Sequence, residues 1–212
     1  EGIVDKFAIT ETQLVEMSDY CKMVGFDFTS TPFSKKEVDF LVDQLKVGFV
    51  KIASMDLNNY QFLDYIAHKG KPIVLSTGLS NLSEIDKAVR TIENAGNKQL
   101  IILHCVAIYP PEDYQINLNN LDSLSTIYPY PIGFSDHTLG TCIPLASVAK
   151  GACIVEKHFT LDKEMFGWDH KVSANEEDML VITEGAKRIH TAMGNGRIEQ
   201  VEERERLDSF RR

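Results

Sequence analysis

The sequence is short of several features that would each announce a function. It has four cysteines, none in a CxxC pair, and one tryptophan in 212 residues. Without paired cysteine spacing there is no sequence case for a disulfide framework or a zinc ribbon. Cys21, Cys105, Cys142 and Cys153 read as reduced thiols, three of them in apolar core stretches, which fits a cytoplasmic protein. Positive charge is also scarce: 22 Lys and Arg stand against 31 Asp and Glu, a formal net charge of −9. That balance excludes a nucleic-acid or anionic-membrane partner held by the overall field. Any anionic ligand must then be bound by a local cluster of donors. No apolar run is long enough to cross a bilayer and the N-terminus shows no signal-peptide pattern. Neither GxGxxG nor a Walker A loop follows any apolar run, so a nucleotide-binding open sheet finds no support.

What is present is alternation. Six β-rich apolar runs recur, at residues 25–32, 49–54, 72–78, 99–106, 131–137 and 152–160. Between them lie stretches with helical periodicity, at 37–45, 60–69, 82–95, 121–128 and 144–150; a first helix at 11–24 and a last at 176–193 flank the series. Ser34 with Glu37 and Asn81 with Glu84 form capping boxes, and Gly70, Gly96 and Gly194 mark stops. Apolar strands alternating with helices imply a parallel sheet covered by helices. The chemistry at the strand ends chooses between an open sheet and a barrel. An open sheet gathers its ligand from a few strands at one switch point, whereas a barrel gathers it from the ends of all of them. Here all six runs end in hydroxyls, lysines, histidines or acids, so an α/β fold of the (β/α)8 TIM-barrel type is expected. Such a barrel takes about 250 residues. With six strands visible, the first two are expected to be missing, before residue 25. Residues 1–196 then form a partial catalytic barrel, and the charged stretch 197–212 reads as an extended linker.

His137 and His158 close consecutive strands, in SDH and EKHF. Two imidazoles at neighbouring strand ends suit a borderline divalent metal with open positions for water and substrate. Asp136 and Glu156 stand beside them as candidate partners that would fix the tautomers. A single strand-end histidine would read as buried and structural, and His104 is placed there as a support residue; His68 and His190 fall on helices, at the surface. Thr31, Lys51, Ser54, Ser76 and Ser135 would ring the barrel mouth with donors, which is what a phosphate or carboxylate needs. Lys51 carries most weight, because an unpaired lysine in an apolar FVKIAS run would be costly to bury. The loop with Gly167, Trp168, Asp169 and His170, and the aromatic Tyr109, complete the candidates for a sugar.

The order STPFS (30–34), KIAS (51–54), GKPIVLSTG (70–78), LHC…YP (103–110), GFSDHT (133–138), EKHFTLDK (156–163) and DH…S (169–173) resembles the bacterial N-acetylneuraminate (sialic acid) synthase family. The resemblance implies a TIM barrel followed by a small antifreeze-like domain, absent here, in a homodimer. It implies condensation of phosphoenolpyruvate with N-acetylmannosamine and water to give N-acetylneuraminate and phosphate. A divalent metal, usually Mn2+ with Mg2+ or Co2+ as alternatives, would sit on His137 and His158. Thr31, Lys51, Ser54, Ser76 and Ser135 match positions that hold phosphoenolpyruvate, and Asp56, Tyr109 and Asp169 match or nearly match positions that contact the amino sugar. Glu156 matches an acid beside the metal histidine that handles a proton. Ala107 departs from the Ser or Asn common in the family, and Asp56 stands where some members carry Glu. An acid and a further lysine supplied by the family's first two strands have no counterpart here. A sibling synthase for legionaminic or pseudaminic acid, using a 2,4-diacetamido sugar, shares nearly every motif. A metal-dependent aldolase on the same fold is a more distant rival, and a non-catalytic sugar-binding or assembly module is the alternative of another class.

Overall fold

Parallel strands cannot be joined by tight hairpins, and this chain bridges them with helices. The computed structural model, which describes residues 8–198, 200–202 and 204–210, begins with α1 (Glu11–Val24) and α2 (Lys35–Asp39), the latter widening into a π-turn over Phe40–Gln44. Then come β1 (Val50–Ile52), α3 (Tyr60–His68), β2 (Ile73–Ser76), α4 (Leu82–Asn94) and β3 (Leu100–Cys105). Two short helices, α5 (Asp113–Ile116) and α6 (Asn120–Ile127), lead to β4 (Ile132–Asp136), α7 (Cys142–Ala149) and β5 (Val155–Lys157). Helix α8 (Glu176–Met193) packs on α7, and α9 (Arg204–Phe210) comes last. The five strands are all parallel, pair in chain order and curl into half of a barrel. Among the described residues no helix is long and apolar enough to cross a membrane.

Local sequence explains the helix boundaries. Ser34 and Asn81 accept from the backbone N–H of Glu37 and Glu84, whose side chains reach back, so both expected capping boxes form. Gly70, Gly96 and Gly194 end their helices at positive φ. Helix α4 buries Ile85, Ala88, Val89 and Ile92, the i, i+3, i+4, i+7 stripe of an amphipathic helix.

Strand alternation sorts the sheet into two faces. Val50, Ile52, Ile73, Leu75, Leu100, Ile102, Ile132 and Phe134 join the main core under α3, α4 and α6. The residues between them face the barrel interior: Lys51, Ser76, Cys105 and Ser135, with Glu156 opposite Ser135 in the β4–β5 register. Gly133 also lies on the inner face, and a Cβ there would come within 2.5 Å of Leu103 Cδ2 and 2.8 Å of the Ile154 carbonyl. One step further along β4 and β5, Asp136 pairs with Lys157 at 2.6 Å, both side chains almost wholly buried. Lys157 also donates to the Thr138 carbonyl and Asp136 accepts from the Thr138 N–H, so this pair binds the turn after β4 to β5.

Several expectations need correction. Residues 25–32 form no strand: the segment runs past β1 with Thr29 Oγ1 donating to the Phe49 carbonyl, a side-chain bond in place of a backbone ladder. The described sheet therefore has five strands, not six. The helix expected at 37–45 starts earlier and opens into the π-turn, with Leu45 N–H reaching Phe40 O. Within the tail read as an extended linker, residues 204–210 are helical. All four cysteines are free, as expected, but only Cys105 is buried. Cys142 opens α7 and Cys153 precedes β5, at the edge of the structure where less packs against them.

Two stability outcomes follow. Gly133→Ala should cost about 1–3 kcal/mol, because the added methyl presses on backbone as well as on Leu103. Lys157→Met should cost about 3–5 kcal/mol by leaving Asp136 buried without its partner. Urea denaturation reads both, and a lower midpoint with unchanged slope is the expected signature.

Candidate active site

All five strands deliver residues to one cavity of about 590 Å³ at their C-terminal ends. Thr31, Lys51, Ser54, Ser76, Tyr109, Ser135, His137, Glu156, His158 and Asp169 line it, so ten of the eleven candidate residues are brought together. Asp56 is the exception. It lies in the 3-10 turn Ser54–Asp56 after β1, where its carboxylate accepts from Asn59 Nδ2, and it does not line the cavity.

Lys51 is 8% exposed, and its ammonium has partners in three directions. It donates to Ser76 Oγ at 2.8 Å and to the Ile52 carbonyl at 2.9 Å, and it lies 3.6 Å from Glu156 Oε2. Burial pushes the Lys51 ammonium below the usual lysine range, with the Glu156 carboxylate opposing that shift. The other Glu156 oxygen accepts from Ser135 Oγ at 2.7 Å. Ser54 Oγ accepts from the Gly78 N–H at 3.0 Å, tying β1 to the loop after β2. Gly78 allows this closeness, since a Cβ would stand 2.7 Å from Ser54 Oγ.

The two histidines face one another with ring centroids 5.3 Å apart, and the Tyr109 ring lies 4.1 Å from that of His137. Neither carboxylate expected to orient them does so. His137 Nδ1 lies 2.9 Å from the Val106 carbonyl, while Asp136 is committed to Lys157. The carboxylate nearest His158 Nδ1 is Asp169, at 3.9 Å. Alternation accounts for Asp136, which precedes His137 by one residue, whereas Glu156 shares the parity of His158 but is held by Ser135 and Lys51.

These residues fit a divalent metal. A carbonyl can only accept, so His137 carries its proton on Nδ1 and leaves the Nε2 lone pair free. Burial pushes the His158 imidazole below its usual range, with Asp169 opposing, and the neutral form is the one that ligates. Among the described residues no cluster of three His, Cys, Asp or Glu forms a closed site. Two facing imidazoles would supply part of a ligand set, leaving the remaining positions to water or substrate.

His104, the expected support residue, is 5% exposed and bonds through Nε2 to the Ile116 carbonyl, on the helix side of β3. His68 and His190 are exposed on α3 and α8, as expected. Sequence reasoning missed the apolar lining residues Phe33, Met55 and Leu79, which join Ala107 around the cavity, and it missed Cys105 beside Ser54. The signal for Cys105 was its place two residues after Leu103 on the inner face of β3. The rim residues sit in loops, where no periodicity announces them.

Comparison with known proteins places the chain in a family. The profile of the NeuB family matches residues 2–198. The chain is 40% identical over 183 residues to the N,N'-diacetyllegionaminic acid synthase of Campylobacter jejuni, covering 85% of this chain and 54% of that protein. It is 35% identical to the N-acetylneuraminate-9-phosphate synthase of Drosophila melanogaster, covering 82% of this chain and 47% of that protein. It thus spans about half the length of the curated relatives it matches. Among solved structures, the N-acetylneuraminic acid synthetase of Leptospira borgpetersenii, in complex with citrate, superposes with a TM-score of 0.88 at 33% identity, over 95% of this chain and 70% of that one. A phospho-2-dehydro-3-deoxyheptonate aldolase from Thermotoga maritima shares the fold, with a TM-score of 0.76 at 16% identity, over 87% of this chain and 56% of that one. With a family match over nearly its whole length, this chain belongs to the NeuB family.

Proposed function

We propose that this chain is the catalytic barrel of a sugar acid synthase that condenses phosphoenolpyruvate with N-acetylmannosamine and water, releasing phosphate and N-acetylneuraminate. One observation carries the reading: a buried lysine with serine donors and a facing histidine pair share a single cavity. Lys51, Ser76, Ser54, Ser135 and Thr31 would hold the phosphate and carboxylate of phosphoenolpyruvate, fixing its methylene carbon toward the sugar. Tyr109 and Asp169, at the other side of the histidines, would hold the amino sugar in its open-chain form. His137 and His158 would carry a divalent metal, Mn2+ by preference, which when bound supplies Lewis-acid polarisation of the sugar aldehyde.

The bookkeeping of bonds is simple. The C=C pair of phosphoenolpyruvate bonds its methylene carbon to the aldehyde carbon. The C=O π pair moves to the aldehyde oxygen, which takes a proton to become a hydroxyl, and positive charge develops at C2 of phosphoenolpyruvate. Water adds at C2, and Glu156, on the inner face beside Ser135, would take the proton that this water loses. The C2–O bond to phosphate then breaks and phosphate leaves. Positioning and charge stabilisation by Lys51 and the hydroxyls lower the barrier without a covalent enzyme intermediate.

A second reading keeps the reaction and changes the sugar to a 2,4-diacetamido compound. Two N,N'-diacetyllegionaminic acid synthases stand among the relatives, at 40% and 35% identity against 35% for the N-acetylneuraminate-9-phosphate synthase, and the first of them supports this reading.

Phosphate release from phosphoenolpyruvate with Mn2+ should depend on the sugar and fall at least about a hundredfold in His137→Ala. Turnover with a 2,4-diacetamido sugar but not with N-acetylmannosamine would select the second reading, and no release with any sugar would reject the synthase. Phosphoenolpyruvate binding should also weaken as pH rises through the depressed Lys51 pKa, below the range where an ordinary lysine titrates, because the charged form is then lost. Lys51→Arg should remove that alkaline loss, since guanidinium stays charged; calorimetric titration across the alkaline range reads both.

A further inference from the structure

We propose that Glu156 is a resident occupant of the anion subsite, holding the donors that phosphoenolpyruvate must take and being released by the anion's arrival. This rests on the anion-site reading above. Three protons of the Lys51 ammonium face Ser76 Oγ, the Ile52 carbonyl and Glu156 Oε2. The one proton of Ser135 Oγ goes to Glu156 Oε1. Before any ligand enters, Lys51 thus has two hydrogen bonds and an ion-pair contact with Glu156, and the Ser135 proton is taken. An anion has to displace one of the present acceptors.

Mobility and burial decide which. The Ile52 carbonyl is fixed in the backbone of β1, and Ser76 is 2% exposed at the end of β2. The Glu156 side chain is 39% exposed and reaches into the open cavity, so it is the acceptor that can withdraw. Charge points the same way. The described cavity is lined by two lysines against three carboxylates, and Lys157 is committed to Asp136. With Glu156 against Lys51, an entering anion meets no uncommitted positive charge and one like charge beside it. With Glu156 withdrawn, Lys51 and Ser135 face the anion together. Alternation keeps the freed carboxylate on the same face as His158, two residues on, toward the space that Tyr109 and Asp169 share. The proton acceptor would thus become available only once phosphoenolpyruvate is bound, when the water to be deprotonated has a carbon to attack.

Titration calorimetry of phosphoenolpyruvate and of inorganic phosphate, in metal-free buffer, tests this with Glu156→Gln, Glu156→Ala and Lys51→Met. The two Glu156 variants should bind both anions roughly tenfold tighter than the parent while losing turnover. Affinity unchanged or weakened in both Glu156 variants, with binding lost in Lys51→Met, overturns the proposal and leaves the anion site standing. Equal binding in the parent and Lys51→Met, or none in any form, removes the anion-site reading itself and this proposal with it.

Discussion

The contact between Lys51 and Glu156 joins the first strand of the described sheet to the last. In a flat sheet of five strands these two would stand roughly 19 Å apart, at about 4.8 Å per strand, beyond the reach of both side chains together. They meet at 3.6 Å because the sheet curls, and the same curl brings Ser76, Cys105 and Ser135 inward between them. The apolar face that drives the curl lies behind, where Val50, Ile52, Leu75, Ile102 and Phe134 are sealed by the helices. A polar cavity in front and a dry core behind are thus two sides of one strand pattern. Burying Lys51 is tolerable only because Ser76, a backbone carbonyl and Glu156 replace the water it loses.

The formal charge of −9 bears on how such a site works. The molecule as a whole repels anions, and the cavity itself carries more carboxylates than lysines. Recognition of an anion in this cavity would depend on short hydrogen bonds made in a confined space, where they are worth more than in water, and not on long-range attraction. A divalent ion on the histidines would shift that balance strongly, so metal and anion are expected to favour one another's binding.

Much of the site was legible because strand periodicity is strict. Once Lys51 and Ser76 are placed on the inner face, Ser135 and Glu156 follow from the alternation of SDH and EKHF, and the structure brings them together. One miss traces to the same rule. Asp136 next to His137 looks like a partner in one dimension and lies on the opposite face in three, where Lys157 waits for it. Residues 25–32 have the composition of a strand but find no ladder beside β1, since strand formation depends on a neighbour and not on composition alone. Asp56 was assigned by analogy to a turn whose reach no pattern reports, and the turn holds it outside the cavity.

The buried pair of Asp136 and Lys157 also constrains how this sequence can change over time. Each residue immediately precedes one of the facing histidines, and neither can be exchanged alone without stranding a charge in a dry interior. A lineage could leave this arrangement only by replacing both at once, or by passing through a poorly folded intermediate. Selection against that intermediate would hold the two positions, whatever the sugar the cavity came to accept. The lining residues Phe33, Met55, Leu79 and Ala107 are tied into no such pair, so the shape of the cavity can change there while the backbone beneath the histidines stays unaltered.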